Sequence, residues 1–270
     1  NTGLPSPSAR ARKMRSLGMP QLLRPFTTLS QVDTRMRLIV GWRRPSSNGN
    51  VLDASETVAE IFEYFTALIE RRRTEPGNDT ISLLVQAGDG AGVDPMRILG
   101  FAFTMITGGN DTTTGLLSVG LDLLHRAPDQ QAALAGDPSL TDDAVQELLR
   151  LTSPVQGLAR TTTTDVEIDG TTIPEGRKVM LLYAAANRDP REFGSDAEQL
   201  RIERRAGQIL TFSYGAHHCL GASAARLMGR VVLEELLSRC PDYAVDGDAA
   251  TFAPGNFVRW YQTLPFTPGS

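Results

Sequence analysis

Two glycines flank a lone thiol in the run Phe212-Ser213-Tyr214-Gly215-Ala216-His217-His218-Cys219-Leu220-Gly221. After it, Leu220, Ala224, Leu227, Val231 and Leu236 stand near helical spacing, which predicts a helix over residues 220–239 with Cys219 at its N-terminus. A sulfur in that place faces unpaired backbone N–H groups and the positive end of the helix dipole, and both favour thiolate over thiol. Gly215 and Gly221 remove side chains where the backbone must come close to the sulfur or to a flat ligand. Soft anionic sulfur on a tight loop suits iron better than it suits a structural bridge. Cys240, directly before Pro241, has no such setting and reads as an inert packing residue.

A second constellation interrupts the longest predicted helix, residues 94–126, about 33 residues or about 50 Å at about 1.5 Å per residue. Its centre is apolar on all sides, so the helix is expected to cross the interior. There it carries Gly108-Gly109-Asn110-Asp111-Thr112-Thr113-Thr114. Glycine and threonine are poor helix formers, so this run costs about a few kcal/mol relative to alanine. Gly108 and Thr112 are four residues apart and share a face, so a bare patch of backbone lies one turn from a hydroxyl. A flat cofactor with a diatomic ligand fits such a patch; a simple kink where helices cross explains it equally well. On a shorter helix, 141–151, Glu147 and Arg150 are three apart on one face. Taken alone, that spacing describes a surface pair worth tenths of a kcal/mol.

In this order the three motifs carry a resemblance. Phe212 to Gly221 resembles the haem-binding loop of the cytochrome P-450 haem-thiolate monooxygenases, Phe-x-x-Gly-x-His-x-Cys-x-Gly, with Ser213 where the family often has glycine. The resemblance implies a mainly α fold with a small β region and haem b (iron protoporphyrin IX) as cofactor. Cys219 would be the axial iron ligand, His217 would bond a haem propionate, Phe212 would pack beside the sulfur, and Gly215 and Gly221 would shape the loop. The Gly108 to Thr114 run is similar to the family's oxygen-binding helix. By that match Gly108 and Gly109 border the oxygen pocket, and Asp111 and Thr112 deliver protons to bound dioxygen. Glu147 and Arg150 match the family's Glu-x-x-Arg pair, with Arg204 as third member of a structural network and Arg201 as the competing candidate. Arg160 would pair with a propionate through its planar fork. Pro154, Val155, Gly157 and Leu158 would line the substrate side, and Asn187-Arg188-Asp189-Pro190 resembles a further landmark.

The activity so implied is hydroxylation of a small apolar substrate with one atom of O2, using electrons from a ferredoxin or flavodoxin. Arg226 and Arg230 would give the docking face positive charge. A haem-binding but inactive chain and a peroxide-using oxygenase are the other classes; Asp111-Thr112 weighs against peroxide, which brings its own protons. The resemblance runs from about residue 53 to the C-terminus, as the C-terminal portion of the family's fold. No histidine precedes His125, so the family's upstream His-x-x-x-Arg pattern has no counterpart.

Composition sets the remaining bounds. The 270 residues suffice for a sizeable core. A net charge of −4 predicts no general affinity for nucleic acid. No apolar run is long enough for a membrane anchor and no signal peptide is visible, which predicts a cytoplasmic protein. Two cysteines make no disulfide framework, and three histidines argue against a zinc site. Residues 1–50 form an unassigned basic segment in which Arg10, Arg12, Lys13, Arg15, Arg24, Arg35, Arg37, Arg43 and Arg44 face one acid, Asp33; poor order is expected there.

From Asp53 or Ser55 as cap, a helix with the stripe Ile61, Tyr64, Phe65 and Leu68 runs to Arg71-Arg72-Arg73. Short helices follow at 81–85 and 128–134. Residues 160–183 read as small hairpins, with β-formers at 161–164 broken from later ones by Asp169-Gly170 and Pro174-Glu175-Gly176. An irregular stretch, 187–208, leads into the cysteine loop, and 243–245 and 257–264 are candidate edge strands. His125 and His218 read as packing or solvent-facing residues.

Overall fold

The computed structural model describes residues 51–87, 93–255 and 257–269, with only the backbone of 51–57. The basic segment 1–50 lies outside the described residues. The chain divides into two compact units, Asn1–Tyr64 and Phe65–Ser270. Helix α1, Val51–Thr74, already includes Asp53 and Ser55, so neither is the cap expected of it; three arginines close its last turn.

In the second unit each early helix starts on an aspartate. Asp79 accepts a hydrogen bond from the Ser82 N–H and opens α2, Thr80–Gln86. Asp94 accepts from the Met96 N–H, and Pro95 occupies the first turn of α3, Pro95–His125, where its missing N–H costs nothing. The 31 residues of α3 form one continuous helix straight through Gly108-Gly109. Four threonines and Ser118 return their hydroxyls to carbonyls four residues back, a pattern that lets polar residues sit in a helix. Its buried positions cluster at Ile98, Leu99 and Ala102 and again at Gly115, Leu116, Gly120, Asp122 and Leu124. The centre, Gly108 to Asn110, is exposed, so the expectation of burial there is corrected.

After α4, Pro128–Gly136, a 3-10 turn at Pro138–Leu140 leads into α5, Thr141–Thr152. Nine of the twelve residues of α5 are buried. The core joins Leu116 and Leu124 of α3, Val145, Leu148 and Leu149 of α5, and Leu233 and Leu237 of α8, Ala222–Arg239. Gly229 permits this: a Cβ there would stand 3.2 Å from both Leu116 and Val145. The buried face of α8 is therefore Ala222, Gly229, Leu233 and Leu237, not the stripe expected from Leu220 and Leu227, which are exposed.

The β region consists of two-stranded antiparallel pairs. β1, Leu158–Thr161, pairs with β4, Lys178–Leu181, and β2, Val166–Ile168, pairs with β3, Thr171–Ile173. The turn between β2 and β3 is Asp169-Gly170, both left-handed at φ 48° and 75°, as a two-residue hairpin requires. Strand β1 starts at Leu158, ahead of the threonine run predicted to form it; Thr162 instead bonds the carbonyls of Pro174 and Arg177 through its hydroxyl. The stretch expected to be irregular contains helix α7, Pro190–Phe193, just after α6, Tyr183–Ala186. Near the C-terminus β5, Ala244–Val245, pairs with β8, Phe266–Thr267, and β6, Thr251–Phe252, with β7, Tyr261–Thr263. Among the described residues, no helix is long and apolar enough to cross a membrane.

Candidate functional site

The cysteine loop is held by its own backbone. Gly215 takes φ 65°, a left-handed turn suited to glycine, and opens a 3-10 turn over Gly215–His217. The chain then returns so that the Cys219 N–H donates to the Phe212 carbonyl at 2.8 Å. The Cys219 thiol is left exposed. Helix α8 starts at Ala222, capped by Gly221, so Cys219 precedes the helix instead of opening it; its own carbonyl accepts the Ala222 N–H at 3.2 Å. A Cβ on Gly221 would lie 3.8 Å from Sγ.

Phe212 is buried, and the guanidinium of Arg226 stacks on its ring with Cζ 4.6 Å from the centroid. Arg226 Nε also donates to Gln146 at 3.2 Å, and Arg230 pairs with Glu234 and Asp142. The charge of Arg230 is thus balanced locally, which weakens its share of the positive face expected from Arg226 and Arg230. The rings of His218 and Phe212 meet at a steep angle, 61° between their planes with centroids 6.3 Å apart.

Arg160 and His217 meet in one cleft of about 290 Å³, with Leu181, Leu182, Tyr183, Ala186, Leu210, Ser213 and Tyr214 completing its wall. Arg160 projects from β1 and donates to the Tyr183 hydroxyl at 3.4 Å, and that hydroxyl lies 3.2 Å from Ser213 Oγ. Ser213 has φ 60°, a left-handed conformation that glycine adopts without strain. A cation and an imidazole facing one cleft can hold a dianionic group.

On α3, a Cβ built on Gly108 or Gly109 meets nothing within 4 Å. Thr112 is half-buried and its hydroxyl donates to the Gly108 carbonyl at 2.7 Å, back onto its own helix. Asp111 is half-buried beside it.

The Glu147–Arg150 pair is no surface pair: both side chains are fully buried. Arg150 grips the carboxylate through Nε and Nη2, each at 2.8 Å, and donates Nη1 to the carbonyls of Asn187 at 2.6 Å and Ala197 at 2.7 Å. Arg204 supplies the third member, with Nε 3.0 Å from Glu147 and further bonds to Phe193, Asp196 and Gln199. Arg201 reaches Glu147 only through its backbone N–H, and its side chain pairs with Asp196. Hydrogen bonds from Arg204 and then Arg201 lower the Asp196 carboxyl to about 2. Burial pulls the Arg204 guanidinium down, but Asp196 and Glu147 outweigh it and the net direction is up.

Sequence reasoning missed the buried Asp122, which pairs with Arg126 at 2.9 Å and accepts from the Tyr261 hydroxyl at 2.9 Å. The apolar surroundings of Asp122 in α3 were the available signal.

The donor set fits a porphyrin iron. A single soft donor is what an iron already held by four porphyrin nitrogens requires. Among the described residues, no group of three His, Cys, Asp or Glu could hold a bare ion instead.

A family profile described as Cytochrome P450 matches residues 138–242. Cytochrome P450 130 of Mycobacterium tuberculosis is 55% identical over 234 residues, 84% of this chain and 58% of that protein. A steroid C26-monooxygenase of Mycolicibacterium smegmatis is 37% identical over 80% of this chain and 54% of its own length. The solved structure of the Bacillus subtilis cytochrome P450 PksS superposes with a TM-score of 0.80 at 32% identity, covering 88% of this chain and 62% of that one. The chain thus spans little more than half the length of these curated relatives. With sequence and fold in accord, the chain belongs to the cytochrome P450 family.

Proposed function

We propose that this chain serves a haem-thiolate monooxygenase that inserts one oxygen atom from O2 into a small apolar substrate. Residues 51–270 would be the part of the P450 domain that carries the oxygen-binding helix, the ion-pair helix and the thiolate loop. The observation that carries the reading is the exposed Cys219 thiol on a loop whose backbone is closed onto Phe212 and whose His217 shares a cleft with Arg160. When bound, haem b supplies an iron at which dioxygen is activated, and thiolate donation favours O–O cleavage.

This chain's residues then have distinct tasks. Cys219 would hold the iron, with Gly215 and Gly221 keeping the approach to Sγ clear. Arg160 and His217 would anchor the propionates. Gly108 and Gly109 leave open space on α3. Thr112 Oγ1 holds a proton on the Gly108 carbonyl and Asp111 lies next to it, so the pair can pass protons on the dioxygen side. Glu147, Arg150 and Arg204 position the loop and touch no reactant. The name of the Mycolicibacterium relative, a steroid monooxygenase, supports an apolar substrate. A ferredoxin or flavodoxin would deliver electrons, with Arg226 on the docking face, in the cytoplasm.

The test is reduction of the haem-loaded protein under carbon monoxide. The expected result is the red-shifted Soret band of thiolate-ligated ferrous haem, lost in Cys219→Ala. Retention of that band in Cys219→Ala would overturn the assignment. Turnover with peroxide alone, independent of an electron donor, would favour the peroxide-using class.

A further inference from the structure

We infer that Asn187 is the positioning residue that sets the cysteine loop against the C-terminal end of α5; the link to iron rests on the function proposed above. Asn187 is buried, with 1% of its surface exposed. Its Oδ1 accepts the Leu210 N–H at 2.7 Å. Its Nδ2 donates to Ser153 Oγ at 2.7 Å and to Thr211 Oγ1 at 2.9 Å. Both hydroxyls have already committed their single protons: Ser153 to the Arg150 carbonyl at 3.0 Å, Thr211 to the Leu149 carbonyl at 2.8 Å. Each hydroxyl can therefore only accept from residue 187, while Leu210 can only donate to it. Two donors and one acceptor on a two-bond side chain describe an asparagine amide and no other residue.

Three links lead from this amide to the sulfur. Leu210 and Thr211 are fixed directly, Phe212 follows, and the Phe212 carbonyl receives the Cys219 N–H at 2.8 Å. In the other direction the Asn187 carbonyl accepts from Arg150 Nη1, so the buried Glu147–Arg150 pair reaches the loop through the same residue. Asn187 thereby joins the ion-pair helix to the thiolate loop.

Asn187→Asp, Thr211→Val and Thr211→Ser in the full protein provide the test, read by amide hydrogen exchange and by the spectrum of the reduced, CO-bound haem. Asn187→Asp and Thr211→Val each remove two buried hydrogen bonds and are expected to speed exchange at Leu210 and Cys219 by about tenfold or more, the equivalent of at least about 1.4 kcal/mol. Exchange in α3 should stay unchanged, and Thr211→Ser should behave as wild type. The same two variants should show a smaller thiolate-ligated share of bound haem. Unchanged exchange at Cys219 in Thr211→Val overturns the inference even if Asn187→Asp does not fold. A wild-type protein without the thiolate spectrum sinks the functional reading instead, and the exchange data still decide whether Asn187 positions the loop.

Discussion

Replacing Glu147 by glutamine changes no shape but removes the charge that two guanidinia share. In the wild type the carboxylate accepts two bonds from Arg150, one from Arg204 and one from the Arg201 N–H, with no surface exposed to water. A glutamine amide must point N–H donors at one of the two arginines, which carry donors only and no acceptor. Arg150 is then a buried cation with no counter-charge. Breaking a buried pair in this way costs about 3–5 kcal/mol, a large part of a net stability of about 5–15 kcal/mol. Arg204→Ala should cost about 2–3 kcal/mol, because the Phe193 and Asp196 carbonyls lose their charged donor while the Glu147–Arg150 fork survives. Arg201→Ala removes only a solvent-exposed pair with Asp196 and should cost about 0–1 kcal/mol. Urea unfolding of the three variants gives the order Glu147→Gln, Arg204→Ala, Arg201→Ala, most to least damaging. A Glu147→Gln midpoint within error of wild type, or an Arg201→Ala loss equal to that of Arg204→Ala, would refute the reasoning.

Three further outcomes are expected. Gly108→Ala places a methyl in open space within a helix, so melting temperature should rise by the equivalent of about 0.5–1 kcal/mol while haem or ligand binding falls; a stabilised variant with unimpaired binding would detach Gly108 from the site. Gly229→Ala forces a Cβ to 3.2 Å from Leu116 and Val145 and should cost about 1–3 kcal/mol by chemical denaturation. The carboxyl of Asp196 is held at about 2 against an ordinary 3.8, so it contributes stability above 3.8 that is lost as pH falls through about 2; Asp196→Asn should flatten the acid limb of the stability–pH curve, and an unchanged limb would contradict this.

Elements with local chemistry at their ends were legible in the sequence. Helix α3 was placed to within a residue at each end, 94–126 against Pro95–His125, and Asp169-Gly170 placed the β2–β3 hairpin. The start of α8 was set two residues early because Leu220 is apolar, yet it projects into open surface. Burial of α8 follows its small residues, Ala222 and Gly229, since close approach to α3 and α5 decides which face turns inward. An apolar period cannot report that. The choice of Arg204 over Arg201 rested on the resemblance alone: both lie on irregular chain, where no period fixes which way a side chain turns.

The least legible part of the site is also what holds it in place. Cys219, His217 and Arg160 are visible as residue types, but nothing in their spacing says what fixes the loop that carries them. The structure supplies that through carbonyls: Arg150 ends on the Asn187 and Ala197 oxygens, Arg188 on the Leu151 oxygen, Arg204 on those of Phe193, Asp196 and Gln199. Irregular chain between α6 and the cysteine loop has no ladder of its own for these groups, and buried carbonyls without donors are costly. Arginine, with five donors in a rigid fork, satisfies several at once. The Glu147 carboxylate holds two of those forks in register from a helix. The Cys219 thiol, for which we propose the role of iron ligand, therefore depends for its place on a buried charge pair that never touches it.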